Sequence, residues 1–226
     1  MATITIKQAI QVPNTMDSNT RPNIKLLYFN LRGRAEPSRI LLAYAGLPYE
    51  DERIPPPWED PDGWAARKPS LQFGQLPVLY WNNEEISQGI GVARFIAKKV
   101  GLAGKTELEA AQVDEVVHAI EDIVNARIGF LLEEDEKRKK TLTDTFTSRT
   151  LPTLLGQLER RLEGRGGQFF VGNNLTWADI QTFMLVTEVV DKEVAKKYPK
   201  VENLVERVGQ IPNIKKWVQS RPETAV

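Results

Sequence analysis

LLYFNLRGRAEPSR, Leu26 to Arg39, is the stretch on which the reading of the fold turns. An apolar run ends in a tyrosine and a phenylalanine, Asn, Leu, Arg, Gly and Arg follow, and a helical pattern begins near Glu36 and Pro37. Ile24 to Phe29 reads as a buried strand and Ala35 to Ala45 as a helix, with Ile40, Leu41, Tyr44 and Ala45 on one side and Gly46 as its stop. This β-α start places Tyr28 at the end of a strand, with Arg32 and Arg34 at the mouth of a helix.

Outward from that stretch, Tyr49 to Ile54 makes a second strand and PPPWEDPDG a loop. FGQLPVLYWNNEEIS then gives a strand over Pro77 to Tyr80, a turn at Asn82 and Asn83, and a return strand ending at Ser87. Gln88 to Val100 follows as a helix, with Ile90, Ala93, Ile96, Ala97 and Val100 apolar at helical spacing. The order is β-α-β-β-β-α, a small α/β unit. From Glu107 onward the pattern is all-helical. Val113, Val116, Val117, Ile120, Val124 and Ile128 form one apolar stripe, and Leu151, Leu154, Leu155, Leu158 and Leu162 another. TWADIQTFMLVTEVV is apolar nearly all round and reads as a central buried helix, opened by Thr176 with Asp179 as its reciprocal acidic partner. IPNIKKWVQSRP reads as a short terminal helix. The expected organisation is a flexible tail over 1–22, an α/β domain over 23–101 and an all-α domain over 106–226.

Composition narrows the chemistry. The chain has 226 residues, and its 30 basic and 30 acidic side chains cancel, so no global field points to nucleic acid or an anionic membrane as partner. Cysteine is absent, which excludes disulfides, thiolate metal sites and a cysteine nucleophile. Any sulfur chemistry must use a sulfur that the substrate brings. No segment approaches the roughly 20 apolar residues of a membrane span, and the start has no apolar leader pattern. The expectation is a soluble, cytoplasmic protein.

Several motifs read as structure alone. His118, the single histidine, has no second histidine or cysteine with which to share a metal and reads as a solvated or capping residue. LEEDEKRKK, 132–140, reads as a solvated helix end, and EGRGG, 163–167, as a helix stop without the strand that a dinucleotide loop needs. Three features of the α/β unit suggest a ligand instead. A cis Leu76–Pro77 bond would turn the Leu76 backbone outward, where it can pair with a peptide. Gln88 and Gly89 open a helix whose N-terminal amides and dipole attract a carboxylate. Trp64 and Lys68, four residues apart, set an indole beside a cation.

YFNLRGRAEPSR, WAARKP, FGQLPVL, ISQG and GNNLTWAD together resemble the cytosolic glutathione transferases, over about Ile24 to Val226. They are most similar to the sigma class, the group of the haematopoietic prostaglandin D synthases, arthropod and helminth transferases and S-crystallins. The resemblance implies a thioredoxin-like N-terminal domain, an all-helical C-terminal domain and a homodimer.

It also implies roles. Tyr28 matches the tyrosine that donates a hydrogen bond to the glutathione sulfur and is the expected catalytic residue. Arg34 matches an arginine near that sulfur. Leu76 would pair with the cysteinyl backbone, with Gly74 in the same glutathione-binding set. Gln75, Lys68 and Trp64 would hold the glycine end, and Gln88 with the Gly89 amide the γ-glutamyl carboxylate. Asp122 matches an aspartate that reaches the γ-glutamyl amine of a neighbouring subunit; its other reading is a polar stripe with Asp114, His118 and Asn125. Phe29, Leu31, the helix around Val124 to Ile128 and the C-terminal end would line an electrophile pocket, or simply belong to the core, and Arg32 would stand on the electrophile side or pack in the loop.

The sequence departs from the family pattern at Gly89, where the family has a serine whose hydroxyl contacts the same carboxylate. The expected activity is detoxification by conjugation of glutathione, a co-substrate, to small hydrophobic electrophiles, with no metal or cofactor. Prostaglandin H2-to-D2 isomerisation is one alternative, although Gly129 stands where the isomerases tend to carry a tryptophan. A structural protein of the S-crystallin kind is another.

Overall fold

The computed structural model describes residues 21–224. The expected tail lies, but for its last two residues, outside them. Two compact units divide the chain: residues 1–100 together with 216–226, and residues 101–215. The terminal segment from Lys216 is therefore grouped with the α/β unit rather than with the helices before it.

The first unit is built on a four-stranded sheet in the order β2-β1-β3-β4. β1 (Ile24–Phe29) is central, parallel to β2 (Glu50–Ile54) and antiparallel to β3 (Val78–Trp81), which pairs in turn with β4 (Glu84–Ser87). A central strand covered on both faces reads as a continuous apolar run, and Leu26 and Leu27, pointing to opposite faces, are both wholly buried. α1 (Glu36–Ala45) makes the crossover from β1 to β2 and ends at Gly46, whose φ of 63° supplies the left-handed cap. Asn82 and Asn83, with φ of 52° and 73°, form the two-residue hairpin turn between β3 and β4. α3 (Gly89–Lys99) packs beside α1, burying Val92, Ala93, Ile96 and Ala97. The expected loop over PPPWEDPDG is shorter than the sequence suggested. Asp60 accepts from the Gly63 amide at 3.0 Å and starts α2 (Pro61–Arg67) inside it, with proline at the first helical position, where its missing N–H costs nothing.

The second unit is helical throughout its described elements. α4 (Glu107–Leu131) buries Val113, Val116, Val117, Ile120 and Ile123. The stripe thus turns to Ile123, leaving Val124 and Ile128 half-buried. A 3.6-residue period drifts off a fixed line over a helix this long, which the sequence pattern did not capture.

α5 (Glu136–Thr145) and α6 (Leu151–Gly164) are joined by a π-helical turn over Phe146–Thr150, closed by the Leu151 amide on the Phe146 carbonyl. Pro152 has no N–H and its ring crowds the preceding turn, a sufficient reason to widen the helix there. α7 (Trp177–Val189) is the central helix, with every residue from Trp177 to Val186 buried. Asp179 accepts from the Thr176 amide at 2.7 Å, the Thr176 hydroxyl at 2.9 Å and the Phe170 amide at 3.0 Å. α8 (Lys192–Ala195), α9 (Pro199–Gly209) and α10 (Pro212–Ser220) complete the chain. α9 packs on α7 and α6, and Glu159 of α6 caps its first turn by accepting from the amides of Lys200 and Val201. Among the described residues no helix is long and apolar enough to cross a membrane.

Candidate glutathione-binding site

β3 stops pairing at Leu27, so Tyr28 and Phe29 project beyond it at the carboxyl end of the central strand, the edge at which open α/β sheets bind ligands. The chain then turns sharply through Asn30 and Leu31. The Asn30 amide donates to the Ile54 carbonyl at 2.7 Å and the Leu31 amide to the Phe29 carbonyl at 2.6 Å. This turn brings Arg34 back over the strand end, where its amide donates to the Tyr28 hydroxyl oxygen at 3.1 Å. A phenol oxygen that accepts from an amide becomes a stronger donor of its own proton. Gly33, with φ of 38°, lies directly against that oxygen.

The remaining expected residues of this unit are linked to Tyr28 by contacts. Phe29 meets Trp64 edge-on with ring centroids 5.0 Å apart. Lys68 continues α2 by donating its amide to the Trp64 carbonyl. Its side chain runs past Gly74, close enough that a Cβ on Gly74 would sit 3.4 Å from Lys68 Cε. Gln75 Oε1 accepts from Gln88 Nε2 at 3.1 Å. The Leu76–Pro77 bond is cis, with the Leu76 side chain buried. Gly89 closes the circuit: a Cβ there would lie 3.2 Å from the Arg34 carbonyl oxygen and 3.7 Å from Pro77 Cδ.

Gln88 carries a φ of 72°, a left-handed backbone that a non-glycine residue adopts at a cost of order 1–3 kcal/mol. That conformation starts α3 abruptly, with Gly89 beside Arg34 and Pro77 and the first amides of the helix without intrahelical partners. Phe29 is half-buried, Leu31 buried and Arg32 half-buried, with Arg32 Nη2 donating to the Thr224 carbonyl at 3.4 Å.

In the second unit, Asp122 is exposed and lines a cleft of about 300 Å³ with Ala119, Ile123, Arg149 and Thr153. His118 is exposed, its Nδ1 2.8 Å from the Asp114 carbonyl of its own helix, in keeping with a solvated role.

The sequence reading missed the charged cluster beneath the Tyr28 loop. Glu36 and Arg39, both wholly buried, pair at 3.2 Å. Arg39 also donates to the carbonyls of Leu31 at 2.7 Å and Arg32 at 3.3 Å and to Asp51 at 3.1 Å. Glu36 accepts from Trp217 Nε1 at 2.8 Å and Arg221 Nη1 at 2.9 Å. The sequence reading gives Glu36 only as the start of a helix and assigns Arg39 no role. The available signal was their i, i+3 spacing of opposite charge within an otherwise apolar helix. Tyr49, packed near the same group with its ring 6.5 Å from that of Trp217, has its phenol pKa raised, first by burial and then by Asp51.

A thioredoxin-like sheet with a tyrosine at the end of its central strand, followed by an all-helical unit, defines the architecture of the glutathione transferases. The glutathione S-transferase N-terminal domain matches residues 24–98 and the C-terminal domain residues 121–221. The chain is 38% identical to the haematopoietic prostaglandin D synthase of Gallus gallus, over 91% of this chain and 100% of the relative. It is 36% identical to glutathione S-transferase S1 of Drosophila melanogaster, over 89% of this chain and 80% of that one. The monomeric glutathione S-transferase Na-GST-3 of Necator americanus superposes with a TM-score of 0.80 at 32% identity, covering 90% of this chain and 100% of its own. This protein belongs to the glutathione S-transferase family, an enzyme family, and its similarity to these proteins fits the sigma class.

Proposed function

We propose that this protein conjugates glutathione to small hydrophobic electrophiles, with the Tyr28 hydroxyl as the group that activates the thiol. The observation that carries this reading is the Tyr28 hydroxyl held at 3.1 Å by the Arg34 amide at the carboxyl end of the central strand. A hydrogen bond donated to the charged form lowers a thiol pKa from its usual value of about 8.5, and the thiolate is the nucleophile. The thiolate adds to the electrophilic carbon, and the leaving group departs with the electron pair that it shared with that carbon.

Arg34 adds positive potential near the sulfur. Leu76 meets the cysteinyl backbone, with Gly74 in the same glutathione-binding set, while Trp64, Lys68 and Gln75 hold the glycine end. Gln88 and the first amides of α3 receive the γ-glutamyl carboxylate. Phe29, Leu31 and Arg32 are the proposed electrophile-side residues of the α/β unit. Glutathione acts as co-substrate, with no metal or further cofactor in the chemistry. The protein is proposed to work in the cytoplasm as a homodimer, in which Asp122 reaches the γ-glutamyl amine of the partner subunit's glutathione.

Retention on immobilised glutathione, followed by turnover of a chloro-dinitrobenzene by the wild type and by Tyr28→Phe, tests the reading. Binding is expected in both proteins. Turnover should fall tens- to thousands-fold in Tyr28→Phe, since about two pKa units correspond to about 2.7 kcal/mol. Equal turnover by the two would sink the assignment.

The 38% identity to a prostaglandin D synthase favours isomerisation of a prostaglandin endoperoxide as a second reading. Gly129 is exposed, with no atom outside its own helix turn near its Cβ position, and so provides no aromatic wall for a lipid. Product analysis with prostaglandin H2 decides between the two.

A further inference from the structure

The Tyr28 hydroxyl is set by a loop, and the loop is set from below by one buried side chain. Arg34 supplies the amide that holds the hydroxyl, and Arg34 stands on the turn through Leu31 and Arg32. Both carbonyls of that turn accept from Arg39 Nη1, and the Arg39 guanidinium carbon lies 5.8 Å from the centre of the Tyr28 ring. A wholly buried guanidinium holds one orientation only if charge and geometry fix it. Asp51 fixes one side at 3.1 Å and Glu36 the other at 3.2 Å.

Glu36 is itself buried and needs partners for its second oxygen. Two residues from the far end of the sequence supply them: Trp217 Nε1 at 2.8 Å and Arg221 Nη1 at 2.9 Å, both on Oε1. The chain of contacts therefore runs from Trp217 and Arg221 through Glu36 and Arg39 to the turn and on to the Tyr28 hydroxyl. Arg32 makes a second tie, donating to the Thr224 carbonyl at 3.4 Å. Trp217 and Arg221 lie in the segment from Lys216 that is grouped with the α/β unit, so the linkage lies within one compact body.

We propose that Trp217 and Arg221 are positioning residues for the thiol-activating hydroxyl, acting through the buried Glu36–Arg39 pair on the Leu31–Arg34 turn. This inference rests on the reading of Tyr28 as the thiol activator. Removing the two donors strips Glu36 Oε1 of the Trp217 hydrogen bond and of the Arg221 charge, so Glu36 draws Arg39 away from the Leu31 and Arg32 carbonyls. The turn loosens, the Arg34 amide shifts, and Tyr28 donates less well to the thiolate. The proposed glutathione carboxylate contacts, on Trp64, Lys68, Gln75, Gln88 and the first amides of α3, come from residues outside the Leu31–Arg34 turn, so binding changes less than thiol activation.

The test compares the wild type, Trp217→Phe/Arg221→Met, Arg221→Lys and Tyr28→Phe as full-length proteins. Each is titrated by ultraviolet absorbance of bound glutathione thiolate and by kcat/KM for chloro-dinitrobenzene against pH. The double variant should titrate its bound thiol about half a unit or more higher, seen as about a threefold or greater loss of kcat/KM at acid pH that recovers at alkaline pH. The glutathione Kd should stay within about twofold, and Arg221→Lys should lie between the double variant and the wild type.

A double variant with the wild-type thiol pKa overturns the proposal, even if its melting temperature falls, because the contacts would then be structural only. An unchanged thiol pKa in Tyr28→Phe would remove the activator assignment itself, a failure that the fourth protein separates from that of the proposed coupling. Should the double variant fail to fold, Trp217→Phe alone carries the same readout.

Discussion

A Cβ on Gly33 would sit 2.7 Å from the Tyr28 hydroxyl oxygen. No other residue type fits there without displacing the hydroxyl, and the backbone at Gly33, with φ of 38°, already favours glycine. The RGR motif thus carries two requirements: an amide from Arg34 and an empty volume at Gly33.

Gly33→Ala should therefore resemble loss of the tyrosine. Turnover is expected to fall tens-fold or more, about 2 kcal/mol or above in transition-state stabilisation, with glutathione affinity changed only slightly. Combining it with Tyr28→Phe should add little further loss, because both act on one hydrogen bond. Steady-state kinetics on the two single variants and the double variant check this. Fully additive losses would mean that Gly33 acts elsewhere.

Gly89 is the position at which the sequence leaves the pattern of the family it resembles, and the structure names the neighbour on which its repair depends. Its φ is outside the left-handed region, so a side chain is allowed, although its Cβ would press on the Arg34 carbonyl at 3.2 Å. Gly89→Ser is expected to tighten glutathione binding about three- to tenfold, the value of one hydrogen bond to a charged group less the cost of a small shift. Calorimetric titration measures it. Weaker binding would show that the Arg34 carbonyl cannot give way.

Asp179 offers a stability test that is independent of catalysis. Burial pushes its carboxyl up to about 6 from an ordinary value of 3.8, against the lowering effect of the Phe170 and Thr176 hydrogen bonds. A carboxyl with a raised folded-state pKa holds its proton in the folded protein after the unfolded chain has lost it. Its contribution is therefore fully present below about 4 and is lost as the pH rises towards and through 6, by an amount on the order of 2–3 kcal/mol. Urea unfolding between pH 4 and pH 7 should show this downward slope in the wild type and a flatter one in Asp179→Asn. Equal slopes would remove the assignment.

Asp122 separates its two readings by assembly. If it serves a partner's site, Asp122→Ala should weaken glutathione binding several-fold in a protein that light scattering shows to be dimeric, with no change in melting temperature. A monomer that turns over substrate at the wild-type rate would leave Asp122 as a residue of the polar stripe and remove the cross-subunit contact.

Much of the fold was legible because its signals are local. Ile24 to Phe29 could be read as a strand from its apolar run, Asn82-Asn83 as a turn from its tolerance of left-handed backbone, and Thr176 with Asp179 as a helix start from spacing alone. The site was legible only in part, and chiefly through resemblance to a family. Gln88 and Gly89 mark a helix start in any sequence, whereas the left-handed Gln88 that aims it does not show in a residue code. Glu36 and Arg39 were hidden for a different reason. Their partners at Trp217 and Arg221 lie 181 and 185 positions beyond Glu36, and no periodicity connects such distant residues. The π turn before Pro152 was missed because proline signals that a helix is disturbed without saying whether it will end or widen.

The order of the sheet has a bearing on how the protein behaves when concentrated. Both outer strands carry carboxylates: β2 has Glu50 and Glu52, the latter bridged to Lys25 and Arg67, and β4 has Glu84 and Glu85. An unpaired strand edge is a template on which another chain can add a strand, and like charges along it oppose that growth. Two copies meeting along β4 at neutral pH bring Glu84 and Glu85 against their counterparts, which disfavours stacking on that edge. Acidification past the carboxylate range removes the repulsion, and turbidity developing near pH 3 but not at pH 7 would register its loss.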